Sequence, residues 1–329
     1  MHRRSLLAGA AALAAPATVL AQGVGQGAGQ PPYPNRSIRL VVPWAAGGPT
    51  GNIGRIVGDE MAKHLGQPVV QDYRPGAGGA VGSDNVAKSP ADGYALLMGG
   101  AATFYRPLVE RDTPFDPARD FGFVGRIGEG PFALVTSGAL PVTDLRSFIA
   151  YARARPGRLN FASAGQGATS HLAAEMFNAS AGIAAVHVPY RGSAPAITDL
   201  VAGRVDYFFE PLASIMEHVR GGGLRLLGVT TADRAPDAPD VPTLAEAGLP
   251  GFAAAPWWGL LSPAGLPAPV LARLSEAMRL SLEAPGVVAA LAAQGCRAAH
   301  LAPDPFAAFV RAENGKWSRV IETAGLRVG

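Results

Sequence analysis

Ile38 to Arg55 reads I-R-L-V-V-P-W-A-A-G-G-P-T-G-N-I-G-R. Ile38 to Val42 is an apolar run of strand length, and Pro43 to Gly51 is a turn of small residues. From Asn52 the apolar residues Ile53, Ile56, Val57 and Met61 recur at helical spacing as far as Leu65. A buried strand therefore delivers the chain into a glycine turn that opens a helix. The first N–H groups of a helix have no intrahelical partner and lie at the positive end of the macrodipole. Glycine lets that backbone approach a ligand with no Cβ in the way. Such a turn either holds an anion with main chain alone or serves only tight geometry, and one copy does not separate the two.

A second copy shifts the balance. Leu159 to Gly165 reads as a short strand, Gln166 to Thr169 as a glycine turn, and Ser170 to Ala181 as a helix with Leu172, Met176 and Phe177 on one face. Two helix N-termini in one chain are able to close on one anion from two sides. Around them the alternation continues. Strands are expected at Val69 to Asp72 and Ala95 to Met98, with a second glycine loop, Arg74 to Gly82, between them. From Phe123 a second α/β unit follows, with strands at Phe132 to Thr136, Leu159 to Ala162, Ala185 to Val188, Val205 to Phe209 and Leu224 to Thr230. Its helices are expected at Leu145 to Arg153, Ser170 to Ala181, Ala194 to Val201 and Leu212 to Val219. Thr231 to Pro250, rich in Pro, Asp and Ala, reads as a return connection to a strand at Trp257 to Ser262 and two last helices, Pro269 to Leu282 and Pro305 to Ala324. The expected fold is α/β with parallel sheets in two domains, crossed twice by the chain, and a ligand cleft between them.

The composition excludes several classes. With 329 residues and 48% apolar, the chain has enough to build two ordinary domains, and disorder throughout is ruled out. A net charge of +3, with the basic residues scattered, argues against nucleic acid. Met1 to Ala21 has the basic start His2, Arg3, Arg4, an apolar stretch from Leu6 to Leu20 and a small-residue cleavage site at Ala21, the pattern of an export signal. Arg3 and Arg4 leave a twin-arginine route open beside the general one. Gln22 to Pro34 reads as a flexible leader. Cys296 is the single cysteine, so no intramolecular disulfide forms, and an exported chain without one fits a bacterial periplasm.

Chemistry beyond binding is hard to find. The six histidines are scattered with no metal-ligand spacing, so no metal and no cofactor are expected, and neither the dinucleotide nor the NTP phosphate signature is present. Ser170 and His171 are neighbours on a helix and point about 100 degrees apart, so they do not form a nucleophile–base pair with each other.

Seven motifs in order, P-W-A-A-G-G (Pro43 to Gly48), R-P-G-A-G-G (Arg74 to Gly79), A-D-G-Y-A-L-L (Ala91 to Leu97), S-A-G-Q-G-A-T-S-H-L (Ser163 to Leu172), V-P-Y-R-G (Val188 to Gly192), D-L-V-A-G-R-V-D (Asp199 to Asp206) and D-V-P-T-L-A-E-A-G (Asp240 to Gly248), run through the chain. From about Tyr33 to the C-terminus it resembles the Bug receptors, the extracytoplasmic solute-binding proteins of tripartite tricarboxylate transporters. The resemblance implies a Venus-flytrap receptor of the periplasmic-binding-protein type, monomeric and not an enzyme. Its domains would be 35–126 plus 252–329, and 127–251. It would close on a small carboxylate and deliver it to membrane transporter subunits. A ligand-sensing adaptor for a membrane signalling partner, or an exported α/β hydrolase, are the alternatives.

The implied grip lies between the loops Ala45 to Thr50 and Ser163 to Thr169, partly through ordered water. The expected ligand-binding set is Trp44, Ala46, Gly47, Gly48, Thr50, Ser163, Gly165, Gln166, Ala168, Thr169, Tyr190 and Glu210. The chain departs from the family pattern at Gly51, where Asp is usual, and at Tyr73 and Arg106, where Asn is usual. Phe209-Glu210-Pro211 replaces the family's F-D-N. A cleft without the carboxylate at 51, with Tyr73 and Trp44, Trp257 or Phe209 nearby, is expected to prefer an aromatic or long-chain acid to aspartate or glutamate. Arg106 is expected on a surface loop before Pro107, with a second ligand carboxylate as its alternative partner.

Overall fold

The computed structural model describes residues 33–110, 112–235 and 238–324, so the expected signal and leader lie outside it apart from Tyr33 and Pro34. The chain begins β1 (Ile38–Val42), α1 (Pro49–Leu65), β2 (Val69–Tyr73), α2 (Ala80–Ala87), β3 (Ala95–Gly100), α3 (Ala101–Val109) and β4 (Phe121–Glu129). It continues through β5 (Phe132–Ser137), α4 (Leu145–Arg153), β6 (Leu159–Ser163), α5 (Thr169–Ala181), β7 (Ala185–Pro189), α6 (Ser193–Val201), β8 (Tyr207–Pro211), α7 (Leu212–Arg220) and β9 (Leu224–Val229). It ends with β10 (Trp257–Pro263), α8 (Ala268–Glu283), α9 (Pro285–Ala293), β11 (Arg297–Leu301) and α10 (Pro303–Ala324).

Two sheets result, in the orders β11-β4-β10-β3-β1-β2 and β7-β6-β8-β5-β9. They are mixed, which corrects the expectation of parallel sheets. β1 runs parallel to β2 and β3, and β6 parallel to β7 and β8, as right-handed crossovers require. The strands next to the crossings run the other way: β10 is antiparallel to β3 and β4, and β5 is antiparallel to β8 and β9. The chain leaves the first sheet through β4 and re-enters it through β10, so these two must oppose each other. Where they meet, Trp257 lies opposite Glu129, and the Gly130 N–H donates to the Pro256 carbonyl at 3.1 Å. Those two crossing segments form the waist of the molecule.

Local chemistry explains the boundaries that matter for function. α1 starts three residues before its apolar periodicity does, because Gly48 caps it in an extended conformation and Pro49 occupies its first turn, where a missing N–H costs nothing. It stops at Gly66, whose φ of 71° is the left-handed cap geometry that glycine adopts without strain. Ile53, Val57, Met61 and Leu65 are the buried stripe between, packed in one cluster with Leu40 and Met98 of the sheet beneath. Cys296 lies in the same cluster, fully buried. A second cluster joins Phe104, Tyr105 and Trp257 of the first lobe to Phe161, Phe177 and Phe209 of the second, so the waist has a continuous aromatic core.

Candidate ligand cleft

The carboxyl ends of the parallel strands in both sheets face one cavity of about 110 Å³. At about 10–15 Å³ for each water-sized group, that is room for roughly seven to eleven of them, the scale of a small organic acid. Five helix N-termini meet on it: residues 48–50 at α1, 100–103 at α3, 168–170 at α5, 192–195 at α6, and Pro211 ahead of α7. None of the five carries a side-chain cap, and none has an acidic residue in its first turn. α4, which does not reach the cavity, shows what these helices forgo: Asp144 and Ser147 form a complete capping box at its start. Leu212 at the start of α7 donates its N–H to the Pro131 carbonyl at 3.1 Å; the remaining first-turn N–H groups are left for water or a ligand, and the helix dipoles add in favour of negative charge.

Seven of the expected residues line this cavity: Trp44, Ala46, Gly48, Thr50, Ala168, Thr169 and Glu210. The other five stand outside its lining. Gly47 is exposed, with a φ of 91° that serves the turn. The Ser163 hydroxyl is buried and committed to the turn itself, since it donates to the Gly165 carbonyl, accepts from the Gly165 N–H, and sits 2.6 Å from His187 Nε2. Gly165 and Gln166 form the contact between the lobes: a Cβ on Gly165 would lie 3.4 Å from Gly78 Cα, and the Gln166 carbonyl accepts from Arg106. Tyr190 turns its hydroxyl to Asp199 at 2.8 Å.

Of the five helix starts, sequence reasoning missed α3 as a helix, and it expected α6 and α7 without assigning their starts to the site. Residues 100–103 hid in an apolar run, and residues 192–195 begin at the last residue of the quoted motif Val188 to Gly192, whose Arg191 is exposed at the cavity rim. Trp257, Trp258, Phe132 and Pro256 add apolar wall; Phe209 does not, being packed against Phe177 and Phe252.

Three departures from the family pattern take different roles from those expected. Neither Gly51 nor Tyr73 lines the cavity: a Cβ on Gly51 would meet the Tyr73 ring at 3.0 Å, and the Tyr73 hydroxyl donates to Gln71, whose amide in turn donates to the Gly51 carbonyl. The expectation that Gly51 and Tyr73 face the ligand is therefore corrected, because this pair packs on the other side of α1. Arg106 is no surface loop residue. It is buried on α3, donates to the Ala77 and Gln166 carbonyls, and pairs with Glu110 one turn on.

Ser163 and His187 have the spacing of a nucleophile and a base, which sequence separation concealed. Both stand outside the cavity lining, and the His187 ring is stacked on His171 at 3.9 Å between centroids. Burial, then His171, pushes the His187 pKa down to about 3, so the ring is a neutral brace for the β6–α5 turn.

Glu210 is different. At the end of β8 it is 1% exposed, yet it lines the cavity. Oε2 accepts from the Ser193 hydroxyl at 2.9 Å, while Oε1 has no partner in the protein.

A profile described as "Tripartite tricarboxylate transporter family receptor" matches residues 53–326. The chain belongs to this receptor family. Solved structures agree. The receptor is 36% identical to the R. palustris protein Rpa4515, whose structure is with adipate, at a TM-score of 0.85 over 89% of this chain and 98% of that one. It is 33% identical to MatC of Rhodopseudomonas palustris with bound malate, at 0.83 over 88% and 100%. The periplasmic binding protein BugD is 30% identical, at 0.85 over 90% and 99%. The two-domain receptor fold expected from the motifs is thus the fold of this chain.

Proposed function

We propose that this receptor is exported to the periplasm with its signal removed near Ala21, captures a small carboxylate by closing its two domains, and hands it to the membrane subunits of a tripartite transporter as a monomer. The observation that carries this is the convergence of five uncapped helix N-termini on one cavity shared by both sheets. Such a site favours an anion through main-chain N–H groups, with Arg191 at the rim as the one basic residue of the lining. Adipate and malate in related structures support a carboxylate as that anion.

Ala46, Gly48, Thr50, Ala168 and Thr169, joined by the starts of α3 and α6, hold the carboxylate. Trp44, Phe132, Trp257 and Trp258 flank the body of the ligand. Gly47, Ser163, Gly165, Gln166 and Tyr190 shape the loops that present those groups. The membership of the sheets supports domains close to 35–126 plus 252–329 and 127–251, with β4 carrying the first sheet on to Glu129. The placement of the Ser163–His187 pair outside the lining supports binding without turnover.

A thermal-shift screen of mono- and dicarboxylates, with aromatic acids and nicotinate included, tests the reading. A carboxylate that raises the melting temperature and is recovered unchanged is the expected result. A screen with no responder, or a ligand consumed, would remove it.

A further inference from the structure

Among the residues lining the cavity only Glu210 and Arg191 are ionisable, and they differ sharply in setting: Arg191 is exposed, whereas Glu210 is buried. A receptor that closes on an anion places a second carboxyl group, that of the ligand, in the same closed space as Glu210. Two adjacent carboxyl groups in a small buried volume do not both ionise; they share one proton. Glu210 is built for the protonated role. Ser193 donates to one oxygen, and the other is buried with no partner in the protein.

We infer that Glu210 works as a neutral carboxylic acid whose O–H donates to an oxygen of the bound carboxylate, so that it is a specificity residue for anionic ligands and makes their capture dependent on one proton. The inference rests on the receptor reading above. A hydrogen bond from a carboxylic acid to a carboxylate is short and charge-assisted, and a neutral partner removes the repulsion that an ionised Glu210 would exert.

The one other charge of the lining is Arg191, exposed on the loop ahead of α6, and the elements packed around Glu210 bring no further charge onto it. On α5, His171 stacks on His187 of β7 and lies near Glu175. On α6, Asp199 is taken by Tyr190 and Arg204. Asp206 ahead of β8 accepts from the Asn160 N–H, and Glu217, His218 and Arg220 of α7 are exposed. β5 contributes no titratable group, and on β9 Arg225 precedes the register position beside Glu210's neighbour Ala133 by several residues. Burial, opposed only by the Ser193 hydrogen bond, raises the Glu210 pKa to about 8.

The test is calorimetry with adipate, malate and benzoate at pH 6.5 and 9.5, on the wild type, Glu210→Gln and Glu210→Ala. For whichever acid binds the wild type at pH 6.5, affinity should fall about thirtyfold by pH 9.5, tenfold for each unit above the midpoint of one linked proton. Titrations at pH 9 in buffers of different ionisation enthalpy should count about one proton taken up per ligand bound. Glu210→Gln keeps a donor that does not titrate, so its affinity should stay within a few-fold of wild type at pH 6.5, hold at pH 9.5, and take up no proton. Glu210→Ala should lose affinity at both pH values. A wild-type affinity that is flat or rises between pH 6.5 and 9.5, or a fall that Glu210→Gln shares, overturns the inference and leaves the receptor reading standing. Binding of none of the three acids at pH 6.5 overturns the receptor reading, and the inference with it.

Discussion

Arg106 donates to the carbonyl of Gln166 at 3.1 Å, and this bond joins α3 of the first lobe to the β6–α5 loop of the second. The same Nη1 also donates to Ala77, and Nη2 is held by Glu110, so the guanidinium is fixed before it reaches across. Hydrogen bonds to a charged group contribute roughly 1.5–3 kcal/mol net. Arg106→Met should therefore weaken ligand binding roughly ten- to a hundredfold through the closed state alone, since Arg106 does not line the main cavity. Calorimetry gives the affinity, and small-angle scattering should show a smaller radius of gyration in saturated wild type than in saturated Arg106→Met. Arg106→Lys lacks the fork that serves two carbonyls and a carboxylate together, and should recover only part of the loss.

Gly78 lies in the same contact. Its φ is 57°, and a Cβ there would stand 1.7 Å from the Gln166 carbonyl oxygen. Gly78→Ala should fold but stay open: scattering with excess ligand should match the ligand-free profile, with affinity reduced at least as far as in Arg106→Met.

Gly48 offers the opposite case, because a Cβ built on it meets only the Ala45 carbonyl, at 3.9 Å, and its backbone is extended. Gly48→Val should therefore melt within a few degrees of wild type while its methyl groups occupy the space above the first turn of α1. Calorimetry should detect no binding.

Gly51→Asp tests the corrected view of the departures. The new side chain meets Tyr73, which swings aside and gives up its bond to Gln71, a loss of about 1 kcal/mol. A carboxylate in the first turn of α1 returns about 0.3–1 kcal/mol, so urea unfolding should shift little. Affinity for every acid in a panel should fall severalfold as the α1 dipole is partly offset, with the ranking of benzoate, adipate and glutamate unchanged. A ranking that moves towards glutamate would place Gly51 at the ligand after all.

Acid stability should report His187. Its folded pKa of about 3 lies below the unfolded value of 6.5, so the unfolded chain binds the extra proton first as pH falls. The contribution is fully present above 6.5 and is lost as pH falls from there towards 3. The melting temperature should drop across that window, and less steeply in His187→Gln.

Legibility followed sequence locality. The β1–α1 and β6–α5 turns announced themselves because strand, glycine and helical period are contiguous there. α3 did not: it starts inside the apolar run of β3 and carries Pro107, which argues against a helix until its place near the helix end is known. α9 and β11 were missed in an alanine-rich stretch with no clear period. The opposed direction of β10 depends on where the chain re-enters the sheet, which no local pattern encodes. The commitments of Ser163 to His187, and of Gly51 to Tyr73, link residues 24 and 22 positions apart through folding, so a side chain read as facing the ligand faces the protein instead.

Cys296 is the chain's single thiol, and burial pushes its pKa up to about 12. It is therefore silent towards maleimides and other thiol reagents in the folded state. This makes the wild-type background ready for engineering as an optical biosensor. Val70→Cys on β2 and Val186→Cys on β7, exposed at 53% and 49%, put one dye on the edge strand of each sheet without removing the native cysteine. Energy transfer between the dyes would then follow the lobes in real time, and the same labelled protein would serve to find the solute in a complex mixture.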